Sequence, residues 1–269
     1  MFKTRLMSGI VLVLAAIVVL VLGNWWLLAT VFALSTVGIF ELLRACGLEK
    51  EPLAFVAYIG NVGYYLVLGL GLYRWITGMM ILVLISMLIV YVLNYPKYEF
   101  KQVSEAIFSF LYVGVLFSFI YQTRGMQHGN WLVWLIIIGA WGCDTCAYVI
   151  GKMLGKHHLS QLSPKKTWEG CIGGVLGAGL LGFCFACFFP YRDLFIFTPK
   201  VAFPLIIMVS AVISQFGDLT ASAIKRNYEI KDYGKIIPGH GGILDRFDSV
   251  IFVAPFVYYL LVLTSYIHL

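Results

Sequence analysis

Carboxylates stand beside lysines, arginines and glycines in two regions of an otherwise apolar second half of the chain. Seven of the 13 acidic residues lie in or next to two polar loops: Asp144, Glu169, Asp218, Glu229, Asp232, Asp245 and Asp248. In proteins, Mg²⁺ is usually held by one or two carboxylates together with substrate phosphates. The pattern therefore predicts a magnesium site for a phosphate-bearing substrate, whereas a metal bound by cysteine or histidine fits poorly.

Asp144 and Asp218 are the strongest individual candidates because both fall inside apolar runs. A charge at the centre of a membrane helix costs about 2.5–3.5 kcal/mol on insertion scales. A carboxylate at such a position therefore indicates a functional role. Asp245 and Asp248 are three positions apart, which would place their carboxylates side by side if the last helix begins early. Exposed Glu229 is instead expected to pair with a nearby base.

The first polar loop, residues 151–170, contains the stretch Ser-Pro-Lys-Lys-Thr. Serine is a good helix cap and proline suits the first helical position, so we expect Ser163 to cap a helix that begins at Pro164. A helix N-terminus that carries lysines attracts anions. An ordinary cap on a basic loop would explain the same residues.

The second polar loop contains PGHGGILDRFDS, residues 238–249. Its glycines allow a tight backbone that turns N–H groups toward phosphate oxygens, and Arg246 lies between two carboxylates. A glycine hinge before a membrane helix would explain the glycines but not the pair of acids. Upstream, Gln215, Asp218, Ser222 and Lys225 are spaced to share one face of a helix.

The elements that carry these loops must cross a membrane. Hydrophobic residues make up 61% of the 269 residues and charged residues only 12%, against about 25% in a soluble domain. The apolar runs are continuous, which indicates helices rather than barrel strands. The predicted fold is an all-α, polytopic integral membrane protein with about nine transmembrane helices, at 6–23, 25–44, 53–73, 75–95, 105–121, 130–150, 169–189, 201–223 and 247–267.

Basic residues determine the expected orientation because cytoplasmic loops are rich in lysine and arginine. With the N-terminus inside, the 19 basic residues fall on the cytoplasmic side except for Arg74, Arg124, Arg192 and Lys200. We therefore expect a site on the cytoplasmic side of a bacterial inner membrane. The first five helices (residues 1–125) and the helices with the polar loops (residues 126–269) would form a single membrane domain.

Small residues indicate packing rather than chemistry. The two C-x-x-C pairs, Cys143/Cys146 and Cys184/Cys187, lie within predicted spans and lack the further ligands of a zinc site. Gly173 and the glycine four residues later have the G-x-x-x-G spacing that permits close helix approach. We expect packing against another helix of the same chain, with a homodimer interface as the alternative.

The stretch SAIKRNYEIKDYGKIIPGHGGILDRFDS, residues 222–249, resembles the signature of the phosphatidate cytidylyltransferases. That signature reads S-x-x-K-R, then K-D, then P-G-H-G-G-x-x-D-R-x-D. The segments D-x-x-A-Y-x-x-G-K, from Asp144 to Lys152, and SPKKTWEG and QFGDL are also similar to that family. The resemblance begins near residue 140 and implies transfer of a cytidylyl group from CTP to phosphatidate, with Mg²⁺ as cofactor.

The resemblance also implies roles for individual residues. The expected catalytic residues are Asp218, Asp245, Asp248, Lys225, Arg226 and His240. The expected substrate-binding residues are Ser163, Lys165, Lys166, Thr167, Ser222, Lys231, Gly239, Gly241, Gly242 and Arg246. The expected metal ligands are Asp218, Asp245, Asp144 and Asp248, and the number of cations is left open. Membrane lipids are expected partners, and nucleic acid is not.

Three other functions predict different sequence features. A cation-coupled transporter would carry acids near the membrane midplane in repeated halves, whereas these acids are concentrated at one end of their helices. A CDP-alcohol phosphotransferase would carry a D-G-x-x-A-R motif, which the sequence lacks. A CTP-dependent lipid-alcohol kinase is the nearest enzymatic alternative.

Overall fold

Helices form nearly all of the structure, a computed structural model that describes residues 2–160, 162–191, 195–237, 239 and 241–264. They are α1 (Phe2–Leu22), α2 (Asn24–Ala45), α3 (Pro52–Gly69), α4 (Ile76–Leu93), α5 (Phe100–Gly125), α6 (Gly129–Leu154), α7 (Trp168–Phe188), α8 (Pro199–Asn227) and α9 (Leu244–Thr264). A 3₁₀ turn, Tyr73–Trp75, precedes α4, and π-helical segments interrupt α5 at Phe110–Val115 and α6 at Ile138–Gly142. Between α6 and α7, β1 (His158–Ser160) and β2 (Ser163–Thr167) form an antiparallel hairpin.

The predicted fold class is confirmed. The eight helices α2 to α9 are long and apolar enough to cross a membrane, and α1 adds a shorter apolar segment over Met7–Leu22. Two helix ends differ from the sequence-based boundaries in ways that matter for the site. Helix α8 continues to Asn227 and so includes Lys225 and Arg226, and α9 begins at Leu244, so that Asp245 and Asp248 both lie on it.

The chain divides into two compact units. The first contains Met1–Tyr121 and Asn227–Arg246, and the second contains Gln122–Arg226 and Phe247–Leu269. Helices α1 to α5 thus share a unit with the polar segment that follows α8. Helices α6 to α8 share the other unit with most of α9. The sequence-based grouping, with a boundary near residue 125 inside a single membrane domain, stays a prediction.

Buried hydrogen bonds hold α2, α3 and α5 together in the first unit. The fully buried side chain of Asn61 donates from Nδ2 to Ser35 Oγ and to Thr36 Oγ1, both at 3.0 Å. The hydroxyl of Tyr65 donates to the carbonyl of Gly114, in the π-helical segment of α5, at 3.2 Å. Polar groups in lipid must be satisfied within the protein, so these contacts fix the helix that carries Glu41.

Glycines bring α7 into direct contact with α6 in the second unit. A Cβ atom built on Gly173 would lie 2.5 Å from Ile150, and one built on Gly177 would lie 2.7 Å from both Cβ and Sγ of Cys146. The expected close packing within the chain is therefore confirmed, and Cys146 serves as a packing residue in it. The contact fixes α6, which carries Asp144, against the helix that follows the hairpin.

We predict that Gly177→Leu lowers the unfolding temperature of the detergent-solubilised protein. The added side chain has no space against Cys146, and overpacking of this kind costs about 1–3 kcal/mol. A matched control is Gly78→Leu on α4, because a Cβ atom there approaches nothing more closely than Trp75 at 3.9 Å. Equal unfolding temperatures for the two variants would contradict the packing interpretation.

Candidate active site

The basic stretch before α7 forms a strand, so the helix start predicted at Ser163 and Pro164 is wrong. Residues Ser163–Thr167 pair with β1, and α7 begins at Trp168. The capping residue is Thr167, whose Oγ1 accepts a hydrogen bond from the backbone N–H of Gly170 at 3.1 Å. Threonine is among the preferred capping residues, and proline, which lacks an N–H group, is tolerated in an edge strand. The lysines are therefore held on a hairpin and not on a helix N-terminus.

Glu169 anchors this hairpin at the start of α7. Its Oε2 accepts hydrogen bonds from the backbone N–H groups of Lys156 at 3.1 Å and His157 at 3.3 Å. Its Oε1 lies 2.6 Å from His157 Nδ1. Three contacts to the residues just before β1 give Glu169 a structural role. His157 forms part of that anchor while its side chain remains exposed.

Lys166 and Asp218 form an ion pair that joins the hairpin to α8. The distance from Lys166 Nζ to Asp218 Oδ2 is 2.5 Å, and both side chains are mostly shielded, at 26% and 30% exposed. Burial alone would lower the pKa of Lys166. Asp218, through its charge and its hydrogen bond, together with Asp144 and Asp248, more than offsets the burial, so the pKa is raised. Lys166 is therefore positively charged at neutral pH.

Asp248 and Asp144 are linked through Ser249 in the same unit. The backbone N–H of Ser249 donates to Asp248 Oδ1 at 2.8 Å, and its hydroxyl donates to Asp144 Oδ2 at 3.2 Å. Asp248 is 8% exposed and Ser249 only 1%. Sequence reasoning missed Ser249, because its contact with Asp144 on α6 arises only from the fold.

A glycine on α8 allows Asp218 to lie close to α9. A Cβ atom on Gly217 would lie 2.8 Å from the carbonyl oxygen of Asp248 and 3.1 Å from Phe252 Cβ. Any larger residue would force the two helices apart next to Asp218. The absence of a side chain at Gly217 thus helps to gather three of the predicted carboxylates, Asp144, Asp218 and Asp248, around Lys166.

The carboxylates of the second unit are hard oxygen donors of the kind that Mg²⁺ prefers. Within the described part of the chain, no three His, Cys, Asp or Glu side chains form a group ready to hold a metal ion. Mg²⁺ does not require such a group, because it commonly takes one or two carboxylates and completes its shell with phosphates and water. The residues near Lys166 therefore fit a Mg²⁺ ion that arrives with a phosphate-bearing substrate.

Asp245 lies in the first unit, where it organises the loop before α9. Its Oδ2 accepts hydrogen bonds from the backbone N–H groups of Tyr233 at 2.8 Å and Gly242 at 2.9 Å. Gly241 has a φ of +89°, a left-handed conformation that favours glycine. The N–H of Gly242 thus donates its hydrogen bond to a carboxylate. Hydrogen bonds from this loop to a phosphate stay a prediction.

Sequence reasoning missed Glu41, a residue on α2 that contacts the loop before α9. It is completely buried on α2, and its two oxygens accept hydrogen bonds from the backbone N–H groups of Ile243 at 3.1 Å and Leu244 at 3.0 Å. One signal was available: Glu41 is the one acidic residue in the apolar run 25–44, and an ionisable residue within a membrane span suggests function.

The remaining predicted residues differ in accessibility. Ser222 and Lys225 are half-buried on the α8 face that carries Asp218. The exposed members of the predicted set are Lys165, Arg226, Lys231, Gly239 and Arg246. His240 and Pro238, both in the signature, lie outside the described residues. The structure therefore assigns contacts to the acids and to Lys166, and it places the side chains of these exposed bases in contact with solvent.

Known proteins match this chain over nearly its whole length. A model of the cytidylyltransferase family matches residues 3–264. The phosphatidate cytidylyltransferase of Bacillus subtilis strain 168 is 34% identical over 98% of each chain. The protein of the same name from Staphylococcus haemolyticus is 32% identical over 97% of this chain and 99% of its own. The chain therefore belongs to the cytidylyltransferase family.

Proposed function

We propose that this protein is a phosphatidate cytidylyltransferase, which transfers CMP from CTP to phosphatidate and releases pyrophosphate. The observation that carries the proposal is the similarity to relatives of that name along 97–98% of this chain. The signature from Ser222 to Asp248 is complete in the sequence, and the carboxylates gathered around Lys166 suit a phosphate substrate. The product would be CDP-diacylglycerol.

In this reaction, a phosphate oxygen of phosphatidate attacks the α-phosphorus of CTP. A bond forms between them, the bond from the α-phosphorus to the oxygen bridging the β-phosphorus breaks, and pyrophosphate leaves with that electron pair. A phosphate monoester has a second pKa near 6 and carries about −1.5 to −2 charge at pH 7. The attacking oxygen is already ionised, so the reaction needs no general base.

The main barrier is electrostatic, because a phosphate dianion must approach a highly anionic triphosphate. Fixed positive charge close to the negative charge that develops in the transition state lowers this barrier. In the second unit, Lys166 would bind phosphate, and Lys165, Lys225 and Arg226 would neutralise further charge. Lys231 and Arg246 would do so in the first unit. Mg²⁺, held by Asp218 with Asp144 and Asp248, would supply additional positive charge there. Asp245 as a metal ligand stays a prediction from the resemblance.

The membrane setting suits this chemistry. Asp218 lies 19 residues after the start of α8, about 29 Å along the helix axis, which is close to the far end of a span. We place that end at the cytoplasmic face of a bacterial inner membrane, with the N-terminus inside, because the basic residues are concentrated there. Phosphatidate would enter from the lipid and CTP from the cytoplasm. A homodimer remains an alternative to a monomer.

The function is tested by supplying labelled CTP, phosphatidate and Mg²⁺ to the purified protein in detergent micelles. We expect label in CDP-diacylglycerol together with released pyrophosphate. Replacing phosphatidate with diacylglycerol tests the kinase alternative, for which the product would be a phosphorylated alcohol. A folded protein that converts neither lipid would contradict the proposal and would favour cation transport.

Asp218→Asn is expected to abolish turnover while leaving the protein folded, since the amide keeps the shape but removes the charge that pairs with Lys166. Lys166→Met is expected to lower kcat by about a hundredfold, the typical cost of losing a group that stabilises transition-state charge. The matched control is Glu229→Gln, an exposed carboxylate outside the site, which should retain wild-type kcat. Wild-type rates for Asp218→Asn at saturating Mg²⁺ would exclude its role.

His240→Gln is expected to retain appreciable activity, because the side chain keeps a donor for phosphate and the reaction needs no base. The acid limb of its pH profile should still follow ionisation of the lipid phosphate, with activity falling as the pH drops through about 6. Activity that is lost in this variant and restored at high pH or by added imidazole would identify a true base instead.

A further inference from the structure

Glu41 connects the first unit's membrane helices to the polar loop of the signature. Its carboxylate accepts from two successive N–H groups, those of Ile243 and Leu244, where α9 begins. Such N–H groups have no partner within the helix itself, and a negative charge beside them is favourable. A carboxylate on α2 therefore caps the start of α9.

The loop is shaped around this carboxylate. A Cβ atom on either Gly234 or Gly242 would collide with Glu41 Oε1, so both positions require glycine for the loop to close over the acid. A Cβ atom on Gly38, one turn before Glu41 on the same face of α2, would lie 3.2 Å from Leu244 Cδ2. The two loop glycines restrict the space around the carboxylate, and Gly38 allows Leu244 to lie close to α2.

A second contact from α2 fixes the other end of the loop. Arg44, one turn after Glu41, donates from its guanidinium to the carbonyl of Tyr233 at 2.5 Å. The N–H of the same residue donates to Asp245 Oδ2. Glu41 and Arg44 thus hold the two sides of the loop, and Asp245 is bonded to both sides, through Tyr233 and Gly242.

We propose that Glu41 is a positioning residue for the transfer reaction, which holds the loop before α9 so that Asp245 is presented in its working orientation. This inference rests on the proposed function. Glu41 itself is completely buried and acts through backbone N–H groups, so its contribution is to orientation and not to contact with substrate. Proton or charge exchange with substrate is not part of its role.

The test measures two quantities on the full-length protein in detergent: kcat of the folded, monodisperse fraction, and hydrogen exchange at the amides of residues 241–246. Glu41→Gln keeps the volume but removes the charge and replaces one acceptor with a donor. We expect exchange at Ile243 and Leu244 to accelerate and kcat to fall, each on the order of tenfold. Glu41→Asp, which keeps the charge and both acceptor oxygens, should recover part of each loss.

The matched control is Glu51→Gln, the same chemical change in the same unit. Glu51 accepts from the side chains of Lys97 and Tyr98 and not from the loop, so its variant should leave both quantities at their wild-type values. A purely structural role for Glu41 would lower the yield of folded protein without changing the kcat of what remains. Faster exchange in Glu41→Gln with unchanged kcat would therefore overturn the proposal, as would unchanged exchange.

If the Glu41 variants do not fold, Arg44→Gln decides the question, because it releases the loop from an exposed position at the end of α2. We expect a smaller decrease in kcat and faster exchange at Gly242; unchanged kcat would overturn the proposal. The failure of the proposed function is distinguishable from these results. It would appear as an inactive wild-type protein, whose exchange would still report whether Glu41 holds the loop.

Discussion

The need to satisfy charge inside an apolar framework governs this structure. An unpaired ion among lipid-facing helices is strongly unfavourable, so every buried charge must find an opposite charge or several hydrogen bonds. Lys166 meets this condition through Asp218, and Asp248 accepts a hydrogen bond from the N–H of Ser249. Glu41 meets it through two backbone N–H groups. The same contacts that make these charges tolerable also fix their positions.

Close helix approach is the second condition, and glycine provides it. Contacts of the kind seen between Gly217 and the carbonyl of Asp248 bring carboxylates on different helices near one another. Larger residues would collide with the neighbouring helix and force the two helices apart. Lipid offers no hydrophobic driving force between helices, so packing and hydrogen bonds must hold them together. The glycines of α7 and α8 are therefore as necessary to the carboxylate cluster as the acids.

Loops complete the arrangement by being tied to helices at both ends. The hairpin that presents Lys166 is anchored by Glu169 at the start of α7. The loop before α9 is bonded to Asp245 on α9 and to Glu41 and Arg44 on α2. Each loop contains polar residues suited to phosphate, and each is restrained by a carboxylate that the substrate need not touch. Such restraint orients charged groups before the substrate binds, and preorganised charge contributes most to this type of transfer.

The sequence by itself determined the membrane class, the approximate helix positions and the residues of the signature. Those properties depend on local composition: long apolar runs must be helices in lipid, and the motif is a continuous pattern of residue types. It also identified Asp144 and Asp218 as functional candidates, because acids within apolar runs are costly, and Asp245 and Asp248 as a pair, because they are three positions apart.

Only the tertiary structure decided which groups touch. The hairpin at Ser163–Thr167 forms because β1 supplies ladder partners, an interaction that local capping preferences for Ser163 and Pro164 could not reveal. The link from Asp144 to Ser249 spans 105 residues, and that from Glu41 to Leu244 spans 203. Contacts over such separations follow from helix packing, which is set by the shape of whole helix faces and not by the residues nearest in sequence.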